Sequence, residues 1–563
     1  MKVIIVGGVA GGATAAARIR RLDEHAEITV FERSGYISYA NCGLPYYIGD
    51  VITDPEALTL QTPESFFKRF RINMKIHHEV ISIHPNRKIV SVKNLENDEI
   101  FEENYDKLIL SPGAKPTQPR LSGVGIDKLF TLRTVEDTFR IKEYINKNHP
   151  KSAVLAGGGF IGLELAENLR ELGMDVTIVQ RPKQLMNPFD PDMASMIHNE
   201  MRKHGIKLVL GYTVEGFKEK DNGVEVLLKD NPSLQADMVV LAIGVTPDTV
   251  LAKEAGLELG IKESIVVNDR METSVPDIYA AGDAVQVKHY VTDNEALISL
   301  AGPANKQGRI IADNICGGDS RYLGSQGSSV IKVFDMTAAT TGINETNAKK
   351  SGLEVDTVIL SPMSHAGYYP GGKVMTMKVV FEKESYRLLG TQIIGYEGVD
   401  KRIDVLATAI HAGLNATQLK DLDLAYAPPY SSAKDPVNMA GFMIDNIAKG
   451  TLKQWHLEDM DKISKDKDVV LIDVRTVCEF SRGHIDGFKN IPVDELRERI
   501  SEIEKGKPVY LICQSGLRSY IASRILEGNG YETYNFSGGF RFYDAVVNDR
   551  ALIERAYACG MDY

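Results

Sequence analysis

A strand, a glycine-rich turn and a helix follow one another twice in this chain, and this repeated pattern constrains its fold more than any other feature. The first copy lies near the amino terminus and the second at residues 152–179. Glycine lets the backbone approach a pyrophosphate closely, and the amino terminus of the helix stabilises its charge. We therefore predict two dinucleotide-binding folds. The turn residues expected to contact the two cofactors are Gly7, Gly8, Ala10, Gly11 and Gly12, and Gly157, Gly159 and Gly162.

The residue that ends the strand after each turn indicates which nucleotide binds there. Glu32 ends this strand in the first copy, where a carboxylate can accept hydrogen bonds from a ribose diol. In the second copy the position is Gln180, followed by Arg181, and an arginine there can bind a 2′-phosphate. We predict a bound flavin dinucleotide in the first fold and a diffusible NADH or NADPH in the second.

One cysteine, Cys42, lies among small, polar and turn-forming residues in the stretch from Ser38 to Tyr46. A reactive thiol needs dipoles or cations that lower its pKa from about 8.5, whereas a structural cysteine favours apolar surroundings. We expect the first kind of surroundings here, and a small core residue is the alternative. Since the segment has no second cysteine, the oxidised form is expected to be a sulfenate, a persulfide or a mixed disulfide.

Length and composition are those of an ordinary globular protein. The 563 residues suggest roughly three to four domains. A net charge of −11 without a basic cluster argues against nucleic acid as a partner. No window reaches the ~18 apolar residues of a membrane span, so we expect a cytoplasmic protein without a membrane partner. The cysteine spacing fits neither a metal site nor a disulfide framework, and the expected bystanders are Cys316, Cys478 and Cys559.

Two further strand ends, Ser111-Pro-Gly113 and Gly282-Asp283, complete the pattern of a flavin-binding domain. The arrangement resembles the two-dinucleotide flavoprotein disulfide reductases. The resemblance implies that Asp283 holds the flavin ribityl chain and that residues 300–309 form a helix beneath the flavin ring. The other flavin contacts that it implies are Arg33, Ser111, Pro112, Gly113, Gly282, Ala301 and Ala304.

The single cysteine indicates which branch of the family the chain resembles. Members with a dithiol are excluded, which leaves NADH oxidases and peroxidases, acting through a sulfenate, and coenzyme A-disulfide reductases, acting through a mixed disulfide. In the oxidases and peroxidases a histidine follows the first glycine turn, and this chain has no histidine there. The sequence is therefore more similar to the coenzyme A-disulfide reductases.

The segments around Tyr368 and Tyr426 resemble the dimerisation domain of those reductases. The resemblance implies a homodimer in which both phenols reach the partner's site, where a phenol can protonate a departing thiolate. Interface packing is the alternative for these tyrosines. One basic family position falls at Phe70, so we expect the adjacent Arg71 to serve there. The residues expected to hold coenzyme A are Thr14, Arg18, Arg21, Ser38, Asn41, Arg71 and Lys434.

The sequence changes character after Asp445, where a charged stretch leads into a new domain. A buried strand, residues 509–512, ends at Cys513, and a glycine turn and a helix follow. Backbone N–H groups of such a turn, and the charge of Arg518, favour a thiolate. The segment resembles a single-domain rhodanese, because its loop from Cys513 to Arg518 is one residue shorter than that of related cysteine phosphatases. The resemblance implies that Cys513 carries a persulfide.

These observations predict an α/β protein with two Rossmann-like domains, an α+β dimerisation domain and a carboxyl-terminal α/β rhodanese domain. The expected boundaries are 1–115 with 260–325 for FAD, 116–259 for NAD(P)H, 326–445 for the dimerisation domain, 446–466 for a linker and 467–563 for the rhodanese domain.

The predicted function is NAD(P)H-dependent reduction of coenzyme A persulfide, polysulfide or coenzyme A disulfide. FAD and coenzyme A are the other expected cofactors, Cys42 is the redox thiol and Cys513 the sulfur carrier, and no metal is expected. Three alternatives stay open: sulfur transfer as the main activity, an NADH oxidase, and a redox sensor without turnover.

Overall fold

The structure, a computed structural model, describes residues 1–117, 121–220 and 223–558. Cys559, one of the expected bystanders, lies outside the described residues. The chain divides into two compact units. The first contains residues 1–182 and 205–327, and the second contains residues 183–204 and the chain from Ser328 onwards.

The first unit is built on two parallel five-stranded sheets. Lys2–Val6 is the central strand of one sheet because its apolar residues are buried on both faces. The strands of this sheet, in spatial order, are Ile278–Ala280, Lys107–Leu110, Lys2–Val6, Glu27–Phe31 and Asn73–Lys75. Those of the other are Lys207–Leu210, Asp175–Gln180, Ser152–Ala156, Met238–Leu241 and Leu129–Thr131. In both sheets a glycine turn follows the central strand.

Short antiparallel strands and the helices complete the first unit. The strands form the groups His78–His84, Ile89–Asn94 and Ile100–Asn104; Val214–Lys220, Gly223–Leu228 and Asn231–Ala236; Ala114–Pro116 and Val245–Pro247; and Val287–Lys288 and Glu295–Ala296. The α-helices are Ala10–Leu22, Leu44–Ile48, Pro63–Phe70, Val135–Asn148, Phe160–Glu171, Val250–Glu254 and Ala301–Ile315.

The second unit contains an antiparallel five-stranded sheet. Strands Met375–Glu382 and Leu388–Gly395 are almost entirely buried, since helices cover the sheet. The spatial order is Ser329–Val333, Met336–Gly342, Leu388–Gly395, Met375–Glu382 and Val355–Leu360. The α-helices of this part are Pro191–Lys203, Glu345–Lys350, Val399–His411 and Pro436–Ala448. The α+β fold predicted for the dimerisation domain has this form, and helix Pro191–Lys203, which the sequence analysis assigned to the NAD(P)H-binding domain, belongs to the same unit.

A parallel sheet forms the carboxyl-terminal part of the second unit. Its strands, in spatial order, are Gln454–Trp455, Thr533–Phe536, Val509–Ile512, Val470–Asp473 and Lys489–Asn490. The α-helices here are Met460–Ile463, Val477–Ser481, Leu517–Glu527 and Gly539–Ala558. The predicted α/β fold of this region is therefore confirmed, as is the α/β class of the whole chain.

The expected linker over 446–466 is wrong from Gln454 onwards. Gln454 and Trp455 pair with Asn535 and Phe536 as an edge strand of the carboxyl-terminal sheet. The Trp455 side chain is only 2% exposed and packs against Phe536. Burial of this large aromatic surface fixes a segment whose charged composition indicated a linker. Among the described residues no helix has the length and apolar character needed to cross a membrane.

Candidate functional site

At the first glycine turn, backbone segments lie so close to one another that a side chain on these glycines would clash with them. Gly7 has a φ of +97°, and a Cβ atom on it would lie 2.1 Å from the Ser111 carbonyl oxygen. A Cβ on Gly12 would lie 1.9 Å from the Gly7 carbonyl oxygen. Helix Ala10–Leu22 starts at this turn without a side-chain cap, so its first N–H groups are available to a pyrophosphate. The turn thus fits the diphosphate of a dinucleotide.

Glu32 is held at the position expected for a ribose contact. Its Oε2 accepts a hydrogen bond of 2.8 Å from Gly8 N, and its Oε1 accepts one of 2.9 Å from Ser34 N. The side chain is buried, so the carboxylate is fixed beside the turn. A fixed acceptor here suits the diol of an adenosine ribose.

The other expected flavin contacts surround the same turn. Asp283 follows Gly282, which has a φ of +82°, and forms an ion pair with Arg133 at 2.7 Å. Ser111 Oγ would lie 2.7 Å from a Cβ on Gly11, so the two residues border one space. Arg33 pairs with Asp248 at 2.9 Å. Pro112 and Gly113 continue from Ser111, and Ala301 and Ala304 lie in the first turn of helix Ala301–Ile315.

The second glycine turn repeats the first. Gly157 has a φ of +123°, and a Cβ on Gly162 would lie 2.1 Å from the Gly157 carbonyl oxygen. Nothing lies within 4 Å of a Cβ on Gly159, so the space in front of this turn is open. Gln180 Oε1 accepts a hydrogen bond of 3.1 Å from Gly158 N. Gln180 therefore takes the role that Glu32 has in the first turn, but without a charge.

Cys42 lies in a short 3₁₀ turn, Asn41–Gly43, that continues into helix Leu44–Ile48. Its thiol is free and the residue is exposed. The loop leading to this turn contains Ser38, whose φ of +44° is unusual for a residue other than glycine. Ser38 N donates to the Gly8 carbonyl oxygen at 2.9 Å, which ties the cysteine segment to the first glycine turn.

The polypeptide does not lower the pKa of Cys42, and that expectation from the sequence is wrong. Burial is the largest cause that raises the pKa of this thiol, and the Glu164 carboxylate raises it further. Arg133 acts in the opposite direction, while Asp283 raises the pKa slightly. A thiolate at Cys42 therefore depends on a group other than these side chains.

Glu164 is a carboxyl group near Cys42 that sequence reasoning did not select. Burial and the charge of Glu167 raise the pKa of Glu164 to about 7. Burial is the main cause, and the Glu164 charge the second, that raises the pKa of Tyr46 to about 12. Glu164 follows the second glycine turn in the sequence, which does not show that it lies near Cys42. The fold shows this, because helix Phe160–Glu171 packs against helix Leu44–Ile48, which follows Cys42. At neutral pH this carboxyl group can therefore gain or lose a proton.

The residues expected to hold coenzyme A are divided between the two units. Thr14 and Arg18 lie on helix Ala10–Leu22, where Arg18 forms an ion pair of 2.8 Å with Asp313 and Thr14 Oγ1 donates to Asn305 Oδ1. Arg71 ends helix Pro63–Phe70 and its guanidinium lies 5.2 Å from the Phe67 ring. The Arg18 charge is therefore already paired. The exposed members of the set are Arg21 and Arg71, and Lys434 in the second unit.

Tyr368 and Tyr426 meet in the second unit. Their phenolic oxygens lie 2.5 Å apart in a hydrogen bond, and both side chains are exposed. The hydrogen bond with Tyr368 raises the pKa of Tyr426, so this phenol keeps its proton at neutral pH. The sequence predicted both residues but gave no sign that they contact each other.

Cys513 lies at the end of strand Val509–Ile512 and is only 1% exposed. Its Sγ accepts hydrogen bonds from Gly516 N at 3.1 Å and from Ser519 Oγ at 3.2 Å. Gly516 has a φ of +98°, which turns its N–H towards the sulfur. The Ser519 hydroxyl also lies 3.1 Å from the Gly516 carbonyl oxygen, so its one hydrogen is shared between that oxygen and the sulfur. Ser519 was missed in the sequence because it lies beyond the loop, within helix Leu517–Glu527.

The Arg518 guanidinium is paired with a carboxylate, so its charge does not act on Cys513 alone. Its guanidinium makes two hydrogen bonds of 2.7 Å to the Glu479 carboxylate. This contact, together with bonds from Thr476, lowers the pKa of Glu479 to about 2. The pair joins the cysteine loop to helix Val477–Ser481. Within residues 1–117, 121–220 and 223–558, no group of side chains could hold a metal ion.

Comparison with known proteins defines the class to which this fold and these sites belong. Residues 1–308 match the pyridine nucleotide-disulphide oxidoreductase family, residues 328–436 its dimerisation domain, and residues 456–545 the rhodanese-like domain. The chain therefore belongs to the pyridine nucleotide-disulphide oxidoreductase family and carries a rhodanese-like domain. This family uses FAD and NAD(H), the cofactors predicted from the sequence.

Three relatives show which members of this family are similar. Coenzyme A disulfide reductase from Staphylococcus aureus is 38% identical over 78% of this chain and 99% of its own length. The reduced Bacillus anthracis CoADR-RHD structure is 48% identical, with a TM-score of 0.95 and 98% of both chains covered. A NAD-dependent persulfide reductase from A. fulgidus is 38% identical, with a TM-score of 0.90, over 96% of this chain and all of its own.

Proposed function

We propose that this chain is an NAD(P)H-dependent FAD enzyme that reduces coenzyme A persulfide, related polysulfides and coenzyme A disulfide. Cys42 is the redox thiol, and the rhodanese-like domain carries sulfane sulfur on Cys513. The enzyme is a cytoplasmic homodimer, with Tyr368 and Tyr426 serving the partner's site. Support for this proposal comes from relatives similar over the whole chain and from the site residues described above.

The observation that carries the proposal is that Cys42 has no disulfide partner among the described residues. Every described cysteine is free, and the other one in the first unit, Cys316, packs against the hydrophobic core. Among the cysteines that the structure describes, none therefore forms a disulfide with Cys42. Of the three oxidised forms expected from the sequence, we propose the mixed disulfide, and a coenzyme A thiol is the partner suggested by the relatives.

The sulfur chemistry balances in two steps. The Cys42 thiolate attacks the sulfur bonded to coenzyme A, so a Cys42–coenzyme A disulfide forms and hydrosulfide leaves. With coenzyme A disulfide as substrate, a coenzyme A thiolate leaves instead. Bound FAD supplies the two electrons, taken as a hydride from NAD(P)H, that then reduce the mixed disulfide to two thiolates.

Cys513 supplies the substrate of the first step. A persulfide on Cys513 transfers its outer sulfur to a coenzyme A thiolate, which regenerates the Cys513 thiolate and forms coenzyme A persulfide. The hydrogen bonds from Gly516 and Ser519 to Cys513 Sγ stabilise the thiolate that is released when the S–S bond breaks. Because one coenzyme A molecule serves both cysteines, its effective concentration is higher when both domains belong to one chain.

The experiment compares the wild-type enzyme with Cys42→Ser and Cys513→Ser under anaerobic conditions. We expect Cys42→Ser to lose NADH oxidation with coenzyme A persulfide but to keep thiosulfate sulfurtransferase activity. Cys513→Ser is expected to show the reverse. Exposed Cys478 provides the matched control, Cys478→Ser, which should change neither activity. Wild-type turnover of persulfide by Cys42→Ser would refute the proposal.

The same measurements, made both anaerobically and in air, separate the alternatives. If thiosulfate turnover dominates and persulfide-dependent NADH oxidation is negligible, sulfur transfer is the main activity. If the wild-type enzyme oxidises NADH only in air, it is an oxidase. If no substrate gives steady turnover, the flavin and Cys42 act as a sensor.

A further inference from the structure

Tyr368 and Tyr426 lie on two separate surface loops. The first tyrosine loop, residues 361–374, joins strands Val355–Leu360 and Met375–Glu382. The second tyrosine loop, residues 422–435, precedes helix Pro436–Ala448. In the single chain the two side chains are 76% and 46% exposed, so little of their own subunit packs around them. One hydrogen bond between exposed side chains does not offset the entropy of ordering both of them. Their geometry must therefore be set by the structure beneath the loops.

Arg402 lies beneath both loops. It belongs to helix Val399–His411 and is 1% exposed. Its Nη2 donates to the Ser364 carbonyl oxygen of the first tyrosine loop at 2.9 Å. The acceptors of the same nitrogen in the second tyrosine loop are the Tyr430 carbonyl oxygen at 3.2 Å, Ser431 Oγ at 3.2 Å and Asp435 Oδ2 at 2.9 Å. One guanidinium group thus binds both loops.

Two further contacts strengthen this connection. Ala366 N, two residues before Tyr368, donates to the Ser431 carbonyl oxygen at 2.9 Å. Ser431 Oγ donates to Asp435 Oδ2 at 2.6 Å. Burial acts to raise the pKa of Asp435, but bonds from Ser431, Val437 N and Arg402 lower it overall, so the buried carboxylate stays charged. The loops therefore share one buried ionic network.

The backbone also makes room for this arginine. Gly398 has a φ of +67°, and a Cβ atom on it would lie 2.1 Å from Arg402 Nη1. That nitrogen donates to the Gly398 carbonyl oxygen at 3.1 Å. Only the planar fork of an arginine can reach Gly398, Asp435 and both loops at once, because a lysine has one nitrogen in place of three.

We propose that Arg402 is a positioning residue. It keeps the Tyr368 and Tyr426 phenols within hydrogen-bond distance of each other, as proton transfer requires. The inference rests on the proposed function, in which this pair protonates the departing thiolate. In that step a phenol O–H bond breaks, an S–H bond forms on the thiolate, and the phenolate regains its proton from solvent. No electron is exchanged, so Arg402 changes the rate of this step without changing its chemistry.

The experiment uses the full-length holoenzyme with Arg402→Lys and Arg402→Met. The reference is Tyr368→Phe/Tyr426→Phe, alone and combined with Arg402→Lys. Lys378→Met is the matched control, because Lys378 is another buried cation of the same unit and contacts Asp190, Asp192 and Glu345 instead of the tyrosine loops. For each variant we measure flavin reduction by NADH, kcat and KM with coenzyme A persulfide, and the melting temperature.

Arg402→Lys is expected to keep flavin reduction by NADH and to lose about 10- to 100-fold in kcat, the size of effect that a small misplacement causes. Combined with the two phenylalanines it should lose nothing more, because the pair through which it acts is absent. Lys378→Met should lower the melting temperature without this loss in kcat.

Three outcomes overturn the inference. Wild-type kcat in Arg402→Lys, while the double phenylalanine variant is slow, overturns the inference alone. A loss in Arg402→Lys that adds fully to that of the double variant, or that extends to flavin reduction, assigns Arg402 a purely structural role. If the double phenylalanine variant has wild-type kcat, the two phenols have no role in the reaction. That part of the proposed function is then refuted as well.

Discussion

Gln180 Oε1 accepts a hydrogen bond of 3.1 Å from Gly158 N. The corresponding contact in the first nucleotide fold, Gly8 N to Glu32 Oε2, is 2.8 Å long. The two dinucleotide turns therefore share one local geometry and differ in the charge of the residue that supports it. A neutral amide tolerates a 2′-phosphate, which a carboxylate repels.

Replacing Gln180 with glutamate should therefore shift cofactor preference towards NADH. We expect the ratio of kcat/KM for NADH to that for NADPH to rise about tenfold, or roughly 1.4 kcal/mol, because a carboxylate binds the ribose diol and repels the phosphate. Steady-state kinetics with both nucleotides measures this ratio. Arg181→Gln provides a second test, since it should weaken NADPH binding only. An unchanged ratio in Gln180→Glu would mean that the nucleotide ribose lies elsewhere.

Glu164→Gln should make Cys42 more reactive above pH 7. The Glu164 carboxylate raises the pKa of Cys42, so its removal lowers that pKa. We expect alkylation of Cys42 at pH 8 to become about threefold faster, or roughly 0.7 kcal/mol. Because the pKa of Glu164 is about 7, the group is largely neutral at pH 6, and the difference should disappear there.

Alkylation rates against pH, read by mass spectrometry of the Cys42 peptide, check this prediction. Glu171→Gln is the matched control because Glu171 is exposed on the same helix. Equal rates for wild-type protein and Glu164→Gln at every pH would show that this carboxylate does not act on the thiol.

Ser519→Ala should slow sulfur transfer by Cys513. The hydroxyl group donates to Sγ at 3.2 Å, and a hydrogen bond to a charged acceptor contributes about 1.5 kcal/mol, or roughly tenfold in rate. A thiosulfate sulfurtransferase assay measures the change. Ser523→Ala is the control, since Ser523 is also buried on helix Leu517–Glu527 but donates to the Tyr520 carbonyl oxygen. Equal losses in the two variants would assign Ser519 to helix packing alone.

Asp549→Ala should destabilise the second unit. Asp549 is buried and accepts hydrogen bonds from His198 Nδ1 at 2.8 Å and Arg202 Nη1 at 2.5 Å. Loss of one partner from a buried ionic network costs about 3 kcal/mol. Exposed Asp544, on the same helix, provides the control Asp544→Ala. Urea unfolding measures both free energies.

The contribution of Asp549 should also depend on pH. Burial acts to raise its pKa, but His198 and Arg202 lower the pKa overall, so the native state binds this proton more weakly than the unfolded chain. The contribution is therefore fully present above the unfolded pKa of about 4 and is lost as the pH falls below it. A difference between wild type and Asp549→Ala that grows on acidification would contradict this assignment.

Local patterns predicted most of the fold. Strand Val509–Ile512 has the bounds expected from the sequence, and both glycine turns follow the central strands of parallel sheets. Such features depend on neighbouring residues, whose spacing the sequence displays. Gln454–Trp455 was missed because a two-residue strand has no period, and its partner strand lies 80 residues further along the chain.

Apart from Ser519, which is six positions from Cys513, the parts of the site that escaped prediction depend on contacts between distant residues. Glu164 acts on Cys42 only because two helices pack together, and Arg133 meets Asp283 across 150 positions. The Arg402 network likewise joins two loops that no local motif connects. Sequence motifs thus predicted candidate reacting groups, while the residues that contact them are seen only in the fold.

The most direct test of the account is the mass of the Cys42 peptide after anaerobic reaction of the unreduced enzyme with coenzyme A persulfide. We predict a mass increase equal to one coenzyme A joined by a disulfide, lost on addition of NADH and absent at Cys316. A Cys42 peptide that stays unmodified, or that carries only oxygen, while NADH oxidation with persulfide continues would contradict the account.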